Sequence, residues 1–309
     1  MLQVFFLFIS LFGINEFNTC QSSIEPIESI DKLPVDTIPF RLTSYNNMVV
    51  KAVLNQVDTL DLMFHTAANT VTLKTADVPR LKNFKLTEVD SAESWGGSYE
   101  IQSSLNNQLQ IGDLKWDSLQ IWQNEKSGHE TQGKFGINFF TDQILEINFD
   151  NNYLLIHEEL PDLAKTYVSR KLIKDRGFFF LEGKSNVNGA WLTNRFLIHS
   201  GFGGALLYDD AFTKKNELDT HLAIISESEL KDSAGNVLKT QKAVLPAFQF
   251  EETKIKEVPV SFFTGSIKRQ QMSVLGGDLL KRYNWIFDFE NEVVYLKSNT
   301  LSQLPFKDV

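Results

Sequence analysis

Cysteine is almost absent from this chain: a single residue, Cys20, in 309. It has no partner for an intrachain disulfide, and centres that need several thiolates are excluded. A basic surplus is missing too. Lys and Arg number 30 against 39 Asp and Glu, for a net charge of −9, and the one basic cluster is Lys165–Arg176. Phosphate backbones demand concentrated positive charge, so nucleic acid is not an expected partner, and that cluster reads as a solvated surface. Long apolar runs are lacking after the first residues, so no later segment is expected to cross a membrane.

What stands at the start predicts export. Leu2 to Ile14 is almost wholly apolar, too short to span a bilayer, and leads into the polar stretch Asn18-Thr19-Cys20-Gln21-Ser22-Ser23. No Lys or Arg precedes it. The expectation is a signal peptide over residues 1–22 and a linker over 23–36, with the protein in the periplasm, in the cell envelope or secreted. Cys20 is a candidate for lipid attachment at the mature end, although Phe17-Asn18-Thr19 before it is a poor match to a lipidation motif.

Phenylalanine is plentiful at 25 residues, often in runs that read as strands, such as Gly177-Phe178-Phe179-Phe180-Leu181. Met48–Leu54 and Thr59–Phe64 predict a hairpin around Asn55-Gln56-Val57-Asp58, and Leu109–Trp116 with Ser118–Trp122 another. Gly177–Lys184, Ala190–Ile198, Ala243–Phe250 and Val258–Phe263 read as strands, punctuated by Asn188-Gly189 and Ala234-Gly235-Asn236. Only short helices are expected, at Asp209–Asn216 and after Pro161. The sum is an all-β chain of two barrel-like lobes, residues 37–160 and 177–300, with an interlobe connection over 161–176.

The halves repeat. Gly133-Lys134-Phe135-Gly136 precedes Ile147-Asn148-Phe149-Asp150-Asn151, and Ser273-Val274-Leu275-Gly276 precedes Phe287-Asp288-Phe289-Glu290-Asn291. One offset carries Gly136 to Gly276, Phe149 to Phe289 and Asn151 to Asn291. Upstream, Leu62-Met63-Phe64-His65-Thr66-Ala67-Ala68 and Phe196-Leu197-Ile198-His199-Ser200-Gly201-Phe202 hold matching places. Repetition at so long a period means two related lobes, not a solenoid.

In this order the parts resemble the retropepsin- and pepsin-like aspartic peptidases, particularly bacterial two-lobed members, over roughly residues 36 to 300. The resemblance implies two barrel-like lobes around a cleft, with residues 65 and 199 at the positions of the catalytic aspartates. It implies loop-supporting roles for Thr66, Ala67, Ser200 and Gly201, and for Gly136 and Gly276 in the apolar–apolar–Gly segments. The family pattern is broken where its chemistry resides: both aspartate positions are histidine, and Ala67 stands where glycine is expected.

Two carboxylates sharing one proton let one activate a water while the other donates to the substrate carbonyl. Two imidazoles cannot reproduce that arrangement: each neutral ring offers one donor and one acceptor, and its bulk fills the water's place. The leading expectation is therefore a homologue that has lost proteolysis and binds a peptide or other extended ligand in its cleft, partly through strand-like pairing. Ser94-Trp95-Gly96-Gly97-Ser98-Tyr99 is a candidate cleft loop, with Trp95 and Tyr99 as covers and Gly96 and Gly97 as the bend. A second reading makes His65 and His199 a metal or hydrolytic site, but two ligands are few for zinc, and His129, His157 and His221 bear no spacing relation to them. A third keeps proteolysis with Asp61 as a substitute carboxylate, although it lies about 13 Å back along the strand from His65. No cofactor is expected. A chain with both lobes needs no second copy, so a monomer is the default.

Overall fold

Burial that alternates residue by residue marks the strands. In β1 (Asp36–Leu42), Asp36, Ile38 and Phe40 are buried while Thr37, Pro39 and Arg41 are exposed, the period of a sheet with one face on a core. The structure is a computed structural model that describes residues 34–94, 97–125, 127–231, 237–250, 253–265 and 270–306. The export segment and Cys20 lie outside the described residues, as does the turn Ala234-Gly235-Asn236.

The first lobe adds β2 (Met48–Leu54), β3 (Asp58–His65), β4 (Val71–Lys74), β5 (Glu88–Ser94), β6 (Gly97–Ile111), β7 (Leu114–Asn124) and β8 (Gly133–Gly136), followed by β9 (Ile144–Asn148) and β10 (Tyr153–His157). The second half begins with β11 (Val168–Lys171), β12 (Ile173–Asp175), β13 (Phe178–Val187), β14 (Ala190–His199) and β15 (Leu206–Leu207). It continues through β16 (Ala223–Lys231), β17 (Val237–Phe250), β18 (Thr253–Gly265), β19 (Ser273–Gly276), β20 (Tyr283–Asp288) and β21 (Val293–Ser298). Helices are brief: α1 (Asp210–Lys215), α2 (Leu218–His221) and α3 (Gly277–Leu280), with a 3-10 turn at Asp162–Thr166. Asp209 caps α1, its carboxylate accepting from the Phe212 amide at 2.7 Å.

Each lobe is a closed loop of strands. In the first the order β2-β3-β8-β4-β7-β6 returns to β2, and in the second β13-β14-β19-β15-β18-β17 returns to β13. Closure removes exposed edges and encloses a core. Phe64, Phe135 and Phe140 pack in the first lobe, and Phe196, Phe248 and Tyr208 in the second. The all-β, two-lobed architecture expected from the sequence is the one present.

The repeated hairpins β9–β10 and β20–β21 meet in a third layer ordered β11-β21-β20-β9-β10-β1. Ile147 pairs with Trp285, Glu146 with Ile286 and Leu145 with Phe287. At the repeat offset these pairs interchange, so a local twofold axis passes through the Glu146–Ile286 pair.

One expected hairpin is misplaced. The turn falls at Gly112-Asp113, not around Asp117. Gly112 has φ +59° and no room for a side chain, since a Cβ there would meet Asp36 Oδ2 at 2.2 Å. Asp36 Oδ2 also accepts from the Asp113 amide at 2.8 Å. Ser118, with φ 58°, only irregularises β7.

Candidate functional site

Each histidine ends a central strand with the same neighbours. His65 closes β3, between antiparallel β2 and parallel β8, and pairs with Gly136. His199 closes β14, between antiparallel β13 and parallel β19, and pairs with Gly276. The two glycines are steric requirements. A Cβ on Gly136 would sit 2.1 Å from the Ala68 carbonyl oxygen, and one on Gly276 would sit 2.2 Å from that of Gly204. The backbone after each histidine therefore folds directly over a bare glycine.

The structure brings the two segments together through a reciprocal set of hydrogen bonds. Thr66 Oγ1 accepts from the Ser200 amide at 2.9 Å and donates to the Ile198 carbonyl at 2.7 Å. Ser200 Oγ accepts from the Thr66 amide at 2.9 Å and donates to the Phe64 carbonyl at 2.7 Å. Both side chains are buried, so each hydroxyl satisfies two backbone groups of the opposite lobe. Asn47 adds a further tie, its side-chain amide donating to the Ser200 carbonyl at 2.8 Å.

Within this frame the His65 and His199 rings lie 4.5 Å apart between centroids, tilted by 59°. His65 Nδ1 accepts from the Ala67 amide at 3.2 Å, and His199 Nδ1 from the Phe202 amide at 3.0 Å. An acceptor Nδ1 puts the proton of the neutral ring on Nε2. Both rings therefore present N–H groups away from their own loops. Gly201 makes room for this: a Cβ there would meet His65 Nε2 at 2.3 Å and Cδ2 at 2.4 Å. Ala67, in place of the expected glycine, packs against the apolar cluster of Phe180, Leu197, Leu207 and Val274.

The rings are held neutral. Burial, followed by the neighbouring His199 and the charge of Lys134, pushes His65 well below the ordinary histidine range. Burial, assisted by Lys134, lowers His199 to about 4, although its own backbone carbonyl acts to raise it. Desolvation disfavours the imidazolium, and a cation alongside disfavours it further.

Lys134 was not singled out by the sequence reading. It lies on β8 two residues before Gly136 and pairs laterally with Met63 and Thr72, on the same strand faces as His65. Burial lowers its own pKa. A signal was available: at the repeat offset its counterpart is Val274, which sits in an apolar row between Leu197 and Leu207. A lysine at a position where the repeat predicts an aliphatic residue is conspicuous once the two halves are aligned.

Other candidates are placed elsewhere. Trp95 and Gly96 lie outside the described residues. Gly97 belongs to β6, as does Tyr99, whose side chain is also outside them. Asp61 is committed to Lys51 at 2.7 Å and Arg41 at 3.3 Å. His129 stacks on Tyr45, and His221 faces Glu217 at 3.5 Å. His157 is buried, with Nε2 3.1 Å from Glu146 Oε2 in the shared layer. The strand that it ends is flanked by β1 and β9. Among the described residues no three His, Cys, Asp or Glu side chains are grouped to hold a metal ion. Among them, too, no helix is long and apolar enough to cross a membrane.

No protein-family model matches the sequence, and no curated protein matches it. Among solved structures, the aspartic proteinase from Irpex lacteus is similar with a TM-score of 0.54 at 12% sequence identity, over 87% of this chain and 98% of that one. Identity this low establishes the fold, and the fold is that of a two-lobed aspartic proteinase.

Proposed function

We propose that the protein is an exported, non-proteolytic relative of the aspartic peptidases that binds a peptide or other extended ligand between its lobes. The observation that carries this reading is the His65–His199 pair, with ring centroids 4.5 Å apart and both Nδ1 atoms engaged by backbone amides. The pair stands at the junction of the two lobes on strand ends that follow the repeat. Peptide hydrolysis at such a centre needs an anionic oxygen to deprotonate water and an acid to protonate the carbonyl. Two neutral imidazoles with their acceptor nitrogens occupied supply neither in that geometry. The Thr66–Ser200 exchange, in contrast, is complete, so the frame that would hold a ligand is retained while the reacting groups are replaced. Export rests on the apolar segment Leu2–Ile14 and the polar residues after it.

The experiment uses the purified full chain with a mixed peptide library across about pH 3 to 8, where carboxylate and imidazole catalysts each have their range. The expected result is retention of library peptides without cleavage. In parallel, the triple variant His65→Asp, Ala67→Gly, His199→Asp is expected to gain cleavage at acid pH. Cleavage by the unmodified chain that disappears in His65→Ala would overturn the reading. Absence of any retained peptide would remove the ligand-binding half of it.

A further inference from the structure

Among the described residues at the centre between the lobes, the imidazole acceptors are engaged, while the buried side-chain oxygen of Asn47, whose amide holds the Ser200 carbonyl, has no hydrogen-bond partner. The two Nδ1 atoms are taken by the Ala67 and Phe202 amides, which leaves an Nε2–H on each ring. Thr66 and Ser200 are fully used in bracing the loops. Lys134 stands on β8 two residues before the glycine that pairs with His65, on the same strand face, and its charge acts on both imidazoles.

The setting of Lys134 is unusual. In the second lobe the row Leu197–Val274–Leu207 packs against Phe180, with Ala67, Phe202 and Met272 around it. In the first lobe the equivalent row is Met63–Lys134–Thr72. Met63 lies under Gly128, and Thr72 Oγ1 shares a hydrogen bond with Ser127 Oγ. The 127–131 segment thus reaches both neighbours of Lys134. Lys134 itself is only partly exposed, and among the described residues it has no hydrogen-bond or ion-pair partner. A partly desolvated ammonium without a counter-charge is costly to hold, and the usual remedy is an adjacent carboxylate. Among the described residues none is paired with it: Asp61, on the neighbouring strand β3, is turned to Lys51 and Arg41.

We propose that Lys134, together with the Nε2–H of His199, forms a subsite for a carboxylate of the bound ligand. The proposal rests on the cleft-binding reading above and specifies its chemistry: the ligand brings the negative charge that the protein gave up when both aspartate positions became histidine. Charge-assisted hydrogen bonds from an ammonium and a neighbouring N–H would hold the two oxygens of one carboxylate. An acidic side chain within an extended peptide and a free C-terminus offer the same group.

The test follows the ring Cε1–H resonances of His65 and His199 by NMR in the full chain, assigned with His65→Gln and His199→Gln. Three probes are titrated: acetyl-Ala-Ala-Glu-Ala-amide, its Gln counterpart, and acetyl-Ala-Ala-Ala with a free C-terminus. Sodium acetate is added as the bare carboxylate, with sodium chloride as the ionic-strength control. The expected result is that the Glu peptide or the free-acid peptide binds about tenfold or more tightly than the Gln amide, the scale of a hydrogen-bonded charge. Which of the two does so identifies the source of the carboxylate. Lys134→Met, which keeps a long apolar stem, is expected to abolish the preference while leaving the unfolding midpoint in place or raised. Equal binding of acid and amide peptides overturns the proposal and leaves the cleft reading intact, as does a preference that survives Lys134→Met. If no peptide binds, acetate decides: ring shifts absent in Lys134→Met support the subsite although the peptide reading fails, and no shift beyond the chloride control overturns the subsite as well.

Discussion

Gly201 shows how narrowly the paired histidines fit. The position of its missing Cβ is 2.3 Å from His65 Nε2 and 3.1 Å from His199 Cε1, so any side chain must displace a ring that the opposite ring already confines. Gly201→Ala is expected to destabilise the protein by about 1–3 kcal/mol, the usual cost of overpacking. His65→Ala in the same chain should recover most of that loss, as urea unfolding of the two single variants and the double variant would show. The same confinement predicts a pH dependence. Above the ordinary histidine pKa of 6.5 both rings are neutral, folded or unfolded, and contribute no slope. As pH falls below it the unfolded chain takes up protons that the folded pair refuses, so stability declines with pH. For His199 the decline runs from 6.5 down to about 4 and amounts to roughly 3 kcal/mol at its limit. A His65→Gln, His199→Gln variant should show a flatter stability profile across that window, measured by denaturant midpoints at successive pH values.

At the scale of elements, the two strand ends are joined by hydroxyls rather than by the histidines. Thr66 and Ser200 each satisfy one amide and one carbonyl across the lobes. Thr66→Val keeps the shape but leaves the Ser200 amide and the Ile198 carbonyl buried without those bonds. Its expected cost is about 2–4 kcal/mol, since each unsatisfied buried group costs about 1–3 kcal/mol. Ser200→Ala should cost a similar amount, and the double variant less than the sum, because the two residues form one network. Thermal unfolding of the three variants checks this. The elements themselves were largely legible in the sequence: the Asn188-Gly189 turn, with φ 48° and 81°, joins β13 and β14 as its residue types predict. The break between β6 and β7 was not, because Gly112 looks like a strand glycine until Asp36, distant in sequence, is folded against it.

Across the whole described chain, the shared layer joins the lobes through a β9–β20 pairing that maps onto itself under the repeat. Cutting the backbone between residues 160 and 177 would leave each half with an open edge lined by Leu145 and Ile147 or by Trp285 and Phe287, which are buried in the intact chain. Separately expressed halves are therefore expected to aggregate, and coexpressed halves to elute together at the mass of the intact chain on size-exclusion chromatography. Independent soluble halves would contradict the pairing. The sequence by itself determined the β character, the repeat, the glycines at 136 and 276 and the histidines at 65 and 199. All of these are carried by local patterns or by comparing the chain with itself. Only the tertiary structure decided that Lys134 stands beside Met63 on the strand face of His65, that both Nδ1 atoms are occupied, and that His157 is buried against Glu146. Those facts depend on strands that are neighbours in space and far apart along the chain, and no local pattern of residues encodes which side chain a β-sheet will set beside another.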